Sequence, residues 1–226
     1  MLAQAIELLR DRSLPMLIEQ EIERVILGGE YAPGDKINEQ ALALRFGISR
    51  GPIREALRSL DRTGLIDTIP NRGVFVRRLN AAQAADIYDV RAALFALAGQ
   101  CFALRASAAD VERLRGHVAA MDDAVARDDF ETYIIENFAL HEAIVTGAGN
   151  ATLASHYLAL VKQLRLYRTR NLMLADSVHA SNEEHHEMVE AIAAHDPVRA
   201  YAAHFNHVAT AKTRLMANHL TEKELP

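Results

Sequence analysis

A single cysteine, Cys101, leaves no partner for an intramolecular disulfide in this chain of 226 residues. Eleven glycines and six prolines are too few for a collagen-like or disordered polymer, and an apolar half of the chain is enough for a sizeable core. No apolar run approaches the roughly 18 residues that a membrane helix needs, and the N-terminus does not read as a signal peptide. The expected compartment is therefore a reducing cytoplasm, with no membrane partner. A formal net charge of −5 excludes a protein that is basic throughout. Histidine is missing from a whole stretch of the chain: all ten lie between His117 and His219.

Charge is divided in the same sense. Residues 1–78 hold twelve Lys and Arg against eleven acids, and the remainder thirteen against nineteen. Between Arg45 and Arg78 eight arginines face three acids. Two chemistries thus occupy two domains, expected at 1–78 and 79–226. The first dozen residues, with Arg10 and Arg12 on a weak helical pattern from Met1 to Asp11, are open to two readings, an arm or a disordered lead.

Helical spacing of Met16 or Leu17, Ile18, Ile22, Val25 and Ile26 predicts a helix from about Leu14 to the Gly28-Gly29 stop. Pro33-Gly34-Asp35 is turn chemistry, and Asn38 can cap a short helix that stops at Gly47. Ser49 reads as the N-cap of a third helix, with Pro52 in its first turn, Ile53, Ala56, Leu57 and Leu60 on its apolar stripe, and a stop at Gly64. Leu65 to Ile69 and Val74 to Val76 are short β-prone runs joined by Pro70-Asn71-Arg72-Gly73, a hairpin signal. From Ala81 onward the pattern is helical, broken at Ser107 to Ala109, Asp128-Asp129, Gly147 to Asn150, Leu174 to Ser177 and Asp196-Pro197. The fold class that follows is mainly α: an N-terminal winged helix-turn-helix with a short β-hairpin wing, then an antiparallel all-α bundle of six or seven helices.

On the third helix Arg50, Arg54 and Arg58 recur every four residues, a cationic stripe beside the apolar one. A helix of this width fits the DNA major groove, where Arg reads guanine with two hydrogen bonds, and the tip Asn71-Arg72-Gly73 can reach phosphates or the minor groove. A solvated arginine face is the plainer reading of the spacing alone; the turn, cap and basic wing together favour DNA.

The segment from Gly28 to Val76 resembles the winged helix-turn-helix of GntR-type transcription regulators. The match runs through Gly-Glu-Tyr-Ala-Pro-Gly-Asp (29–35), Asn-Glu-Gln-Ala-Leu-Ala (38–43), Gly-Ile-Ser-Arg-Gly-Pro-Ile-Arg-Glu-Ala-Leu (47–57), Leu60, Gly64-Leu65 and Gly73-Val74. The resemblance implies operator contacts from Arg50, Arg54 and the wing at Asn71, Arg72 and Gly73, with Ser49 at the start of the reading helix and Arg45 and Arg58 as looser equivalents. Where some relatives place a DNA-contacting Arg in the second helix, this chain has Gln40.

Asn137 and His141, four apart, share the side of a helix that carries Ile134, Phe138 and Val145. His185 and His207 lie eleven residues before and after Asp196, so in an antiparallel hairpin both sit at one level, about 16 Å from the turn. His185 shares a face with Val189 and Ile192, which favours it over His186; spacing alone separates His207 from His204 less well. Three imidazoles and one amide oxygen from three helices suit a divalent metal of the Zn, Ni or Mn class, and ordinary core and surface histidines are the alternative. Glu136, Glu142 and Glu184 follow helix faces that turn away from their neighbouring ligands, which leaves a metal-dependent hydrolase without a general base.

The stretch from about Ala81 to Leu220 is similar to the all-helical FCD effector domain of the FadR-like branch, through Arg91-Ala-Ala-Leu94, Asn137-Phe-Ala-Leu-His141, Gly149-Asn150, Glu184-His185, Ala191-Ile192, Asp196, Ala200 and His207. In metal-containing members the equivalents of Asn137, His141, His185 and His207 hold a divalent ion. Two positions depart from the pattern: Asn137 stands where Asp is frequent, and Phe95 where Glu often follows Arg-x-x-Leu. An amide in place of a carboxylate leaves the charge of the ion uncompensated, so a small carboxylate effector is expected there, with Arg91 as a second anchor. The expected protein is not an enzyme but a homodimeric, effector-responsive regulator, a repressor by resemblance; a metal-free regulator whose histidines bind effector directly is the alternative.

Overall fold

The computed structural model describes residues 13–168 and 175–223; the arm or lead read at the N-terminus, with its weak helical pattern, lies outside them. The backbone divides into two compact units, Met1–Leu79 with Lys162–Tyr167, and Asn80–Val161 with Arg168–Pro226.

In the first unit, α1 (Leu14–Leu27) buries Ile18, Ile22, Val25 and Ile26, whereas Met16 points outward. Helix α2 (Glu39–Phe46) is capped by Asn38, whose side chain accepts from the backbone N–H of Gln40 and Ala41, and ends on Gly47 at φ 65°. Helix α3 (Arg50–Arg62) buries Ile53, Ala56, Leu57 and Leu60. Ser49 occupies the N-cap position with extended backbone, as the sequence predicts, and its side chain makes no capping hydrogen bond. Strands β2 (Ile66–Ile69) and β3 (Gly73–Val76) pair antiparallel around the turn, where Asn71 takes the left-handed conformation that Asn tolerates, φ 62°. A third strand that the sequence did not announce, β1 (Lys36–Ile37), adds to β3 and sets Ile37 opposite Val74 in the apolar core.

Six more helices follow among the described residues: α4 (Ala81–Ala103), α5 (Ala108–Ala126), α6 (Phe130–Gly147), α7 (Ala151–Arg168), α8 (Ala175–Ala193) and α9 (Pro197–Lys223), all in the second unit except the Lys162–Tyr167 stretch of α7, which groups with the first. Near four of the breaks in the sequence pattern a side chain caps first-turn N–H groups that need acceptors, Asn150 among them accepting from Leu153, whereas α8 begins at Ala175, inside the break expected at Leu174 to Ser177. Asn80 with Gln83 and Ser107 with Asp110 form reciprocal capping boxes, and Asp129 accepts from the Thr132 N–H. Asp196 accepts from Val198 and Arg199 at the start of α9, with Pro197 in the first turn. Helix α4 packs along α9, α5 along α6, and α8 against α5 and α9. None of the described helices is long and apolar enough to cross a membrane.

Candidate functional site

The reading helix presents its arginines outward. Arg50 and Arg54 are each about half exposed, and both are held by one carboxylate: Glu39, on α2, accepts from Arg54 Nε at 2.8 Å and from Arg50 Nη2 at 3.2 Å. The Arg54 hydrogen bond, with Arg50 adding to it, keeps the Glu39 carboxyl below its ordinary value. Arg45 pairs with Glu30, and Ser49 and Arg58 are exposed. On the wing, Arg72 and Lys36 each lie 5.9 Å from the Phe75 ring centre, within cation–π reach. Gly73 has φ 113°, and a side chain there would meet Lys36 at 3.0 Å, so this position demands glycine. Glu39 was not singled out in the sequence, because an acid amid a basic segment gives no sign of which cation it holds.

In the second unit, α6, α8 and α9 bring His141, His185 and His207 together, all buried, with potential ligand atoms within 4.8 Å of one another. The ring centres are 5.6 Å apart for His141–His185, 5.1 Å for His141–His207 and 4.6 Å for His185–His207. Behind each ring Nδ1 has a partner: Tyr157 Oη at 2.7 Å and the donor Arg91 Nη2 at 3.3 Å for His141, Asn182 Oδ1 for His185 at 3.4 Å, and Glu184 Oε2 for His207 at 2.8 Å. A proton on Nδ1 toward Asn182 and Glu184 leaves Nε2 of His185 and His207 with the lone pair a metal ligand needs. Nε2 of His141, Nε2 of His185 and Oδ1 of Asn137 are buried without a partner. Burial, helped by the neighbouring cationic groups, pushes the pKa of His141 and of His185 well below its usual value, so both stay neutral and able to donate to an ion. Two neutral imidazoles, a third backed by a carboxylate, and an amide oxygen without a partner are a donor set that fits a divalent transition metal.

His204, the competitor of His207 in the sequence, is buried too but lies outside this trio. Its Nδ1–H donates to Ala200 O at 2.7 Å, its ring stands edge-on to Phe95 at 4.9 Å, and burial lowers its pKa to about 4. Arg91 is 5 % exposed; its guanidinium donates to Tyr157 Oη at 3.1 and 3.2 Å and lies over the rings of Tyr88 and Tyr157. Phe95, at the position where relatives often carry Glu, stacks on His141 at 4.5 Å and on Tyr157 at 5.0 Å, making an apolar wall beside the trio. As the sequence predicts, Glu184 turns away from its neighbour His185; what the sequence did not show is that its carboxylate reaches His207 on the next helix, where Arg214 also grips it at 3.0 Å. Tyr157 and Asn182 were missed altogether, since a core tyrosine and a helical asparagine carry no signal of the ring they support.

Comparison with known proteins agrees with both halves. The family described as bacterial regulatory proteins, gntR family, matches residues 17–76, and the FCD domain matches residues 86–210. The HTH-type transcriptional regulator YdhC of Bacillus subtilis (strain 168) is 28 % identical over 206 residues, covering 87 % of this chain and 91 % of that one. A probable D-xylose utilization operon transcriptional repressor of Paenarthrobacter nicotinovorans is 29 % identical over 187 residues, covering 81 % and 80 %. Among solved structures, E. coli McbR/YncC superposes with a TM-score of 0.76 at 20 % identity, covering 92 % of this chain and 99 % of that one, and so shares the fold. With a cationic helix-turn-helix ahead of an all-helical domain that gathers three histidines, the chain belongs to the GntR family of transcription regulators, in the group that carries an FCD domain.

Proposed function

We propose that this regulator is a homodimeric repressor, which reads a pseudo-palindromic operator and responds to a small carboxylate sensed through a divalent metal ion in the second unit. The observation that carries the sensing half is the buried trio of His141, His185 and His207, with Nε2 of His141 and of His185 left without partners, and Oδ1 of Asn137, one turn before His141 on the same helix, buried and unpartnered as well. Asn137, His141, His185 and His207 would hold the ion, which when bound supplies a double positive charge and open positions for an anionic oxygen. None of the four protein ligands brings a negative charge, and Arg91 adds a buried cation whose hydrogen-bond partners include no carboxylate. Such a site favours an acid over a neutral effector. On the DNA side, Arg50, Arg54 and the wing at Asn71, Arg72 and Gly73 would meet bases and phosphates, with Arg45, Ser49 and Arg58 at the margin.

An effector shifts operator affinity only through its unequal affinity for the DNA-competent and DNA-incompetent arrangements. Operator DNA must therefore change effector affinity by the same factor. Calorimetric titration with a panel of small carboxylates, before and after metal stripping, tests the reading. Stripping is expected to abolish carboxylate binding, and Asn137→Asp to retain the ion more tightly while weakening the acid. Carboxylate affinity unchanged by stripping would instead favour a metal-free effector site.

A further inference from the structure

His185 differs from His207 in what stands behind its ring. Nδ1 of His207 faces the carboxylate of Glu184, which only accepts hydrogen bonds and so keeps the proton on Nδ1 by its chemistry alone. Nδ1 of His185 faces the buried side-chain amide of Asn182 at 3.4 Å. An amide offers an acceptor at one end and a donor at the other, and the two ends are nearly alike in shape. With Oδ1 toward His185 the ring carries its proton on Nδ1 and a lone pair on Nε2. Turned over, the amide would offer N–H instead, Nδ1 would become the acceptor, and the proton would sit on Nε2, where it blocks coordination. Nε2 of His185 is buried without a partner, so the choice falls to the Nδ1 side.

The deciding contact comes from α5. Asp122 accepts, through Oδ1, from Asn182 Nδ2. A carboxylate has no proton to give, so this contact admits one orientation of the amide, the one that sends Oδ1 to His185. Asp122 is held in turn by His186, whose Nε2 lies 3.1 Å from Oδ1 and 3.0 Å from Oδ2. His186 comes four residues after Asn182, so both reach toward α5 from one side of α8. Two adjacent histidines, His185 buried and His186 exposed, are thereby joined in one series of contacts through Asp122 and Asn182.

We infer that Asp122 is a positioning residue for the histidine trio: by fixing the orientation of the Asn182 amide, it fixes the tautomer of His185 that can bind a metal ion. This rests on the metal sensing proposed above and adds a residue that touches none of the four ligands yet governs one of them. The dependence is specific to an amide at position 182. A carboxylate there would accept through either oxygen, and the His185 proton would stay on Nδ1 without help from Asp122.

Two measurements on the full chain provide the test. Long-range proton–nitrogen correlation NMR of metal-free, histidine-labelled protein, with His185 assigned through His185→Gln, reads which ring nitrogen holds the proton. The wild type is expected to hold it on Nδ1, and Asp122→Ala to give a mixture of the two tautomers. Competition with a chromophoric chelator for Ni2+ reads affinity, which Asp122→Ala is expected to lower about tenfold, as loss of an outer partner of a ligand does. Adding Asn182→Asp to Asp122→Ala is expected to restore both the tautomer and the affinity. A contact that merely staples α5 to α8 would be lost in both variants alike, so a double variant that restores neither property overturns the inference. So does an Asp122→Ala protein with wild-type tautomer and affinity. A wild type that binds no Ni2+ would defeat the metal-sensing function, whereas the NMR measurement, made without metal, reports on Asp122 independently.

Discussion

Burial acts on single imidazoles in ways that solution experiments can read. His204 has a pKa of about 4 in the folded chain, against 6.5 as its ordinary value. Between those values the unfolded chain takes up a proton that the native chain refuses. Stability is therefore at its full value above pH 6.5, falls as pH drops toward 4, and levels off below. The shift corresponds to about 3 kcal/mol. Unfolding by urea at neutral pH and at pH 4 should show His204→Leu losing less stability than the wild type by roughly that amount; equal losses would mean that His204 is protonated or solvated in the native state. The trio beside it differs in another respect, because its three outer nitrogens rest on a phenol, an amide and a carboxylate. Glu184 makes His207 the most electron-rich donor of the three.

At the scale of elements, close approach of α4 and α9 depends on Gly99. A methyl group there would come within 2.4 Å of His204 Nδ1, and that ring is buried and anchored to Ala200 O. Gly99→Ala gains about 1 kcal/mol of helix propensity, but overpacking a rigid neighbour typically costs about 1–3 kcal/mol. The expected outcome is a lower melting temperature, measured by differential scanning calorimetry. Most elements were legible because their signals are local. Asn38 announced α2, Pro70-Asn71-Arg72-Gly73 announced the hairpin, and Asp196-Pro197 the start of α9. Strand β1 was not, since two residues are too few for an alternation to show, and its pairing to Val74 and Phe75 is decided elsewhere in the chain. Ser49 shows the reverse case, a cap position without the cap bond.

For the whole molecule, the opposite charge balance of its two halves dominates. A chain of net charge −5 must approach DNA through a local cationic surface, so operator affinity should fall steeply with salt. Arg54→Ala is expected to cost about 1–3 kcal/mol of operator affinity if Arg54 reads a base, and to lower the salt slope by about 1 if it meets a phosphate. Titrations by fluorescence anisotropy at several salt concentrations distinguish these outcomes, and an unchanged affinity and slope would remove Arg54 from the interface. The histidines likewise divided the sensing half from the reading half in the sequence. The geometry within each half was less legible, because a helical pattern reports which side of its own helix a residue takes and not what waits on the next. Glu184 is the clearest instance, turned from the histidine beside it in sequence toward another twenty-three residues on.

Glu39 bears on how such a protein finds its target. One carboxylate grips both Arg50 and Arg54. With these arginines as the proposed operator contacts, random sequence, which offers phosphates alone, would meet them still tethered, and a site that rewards both at once would displace the acid more readily.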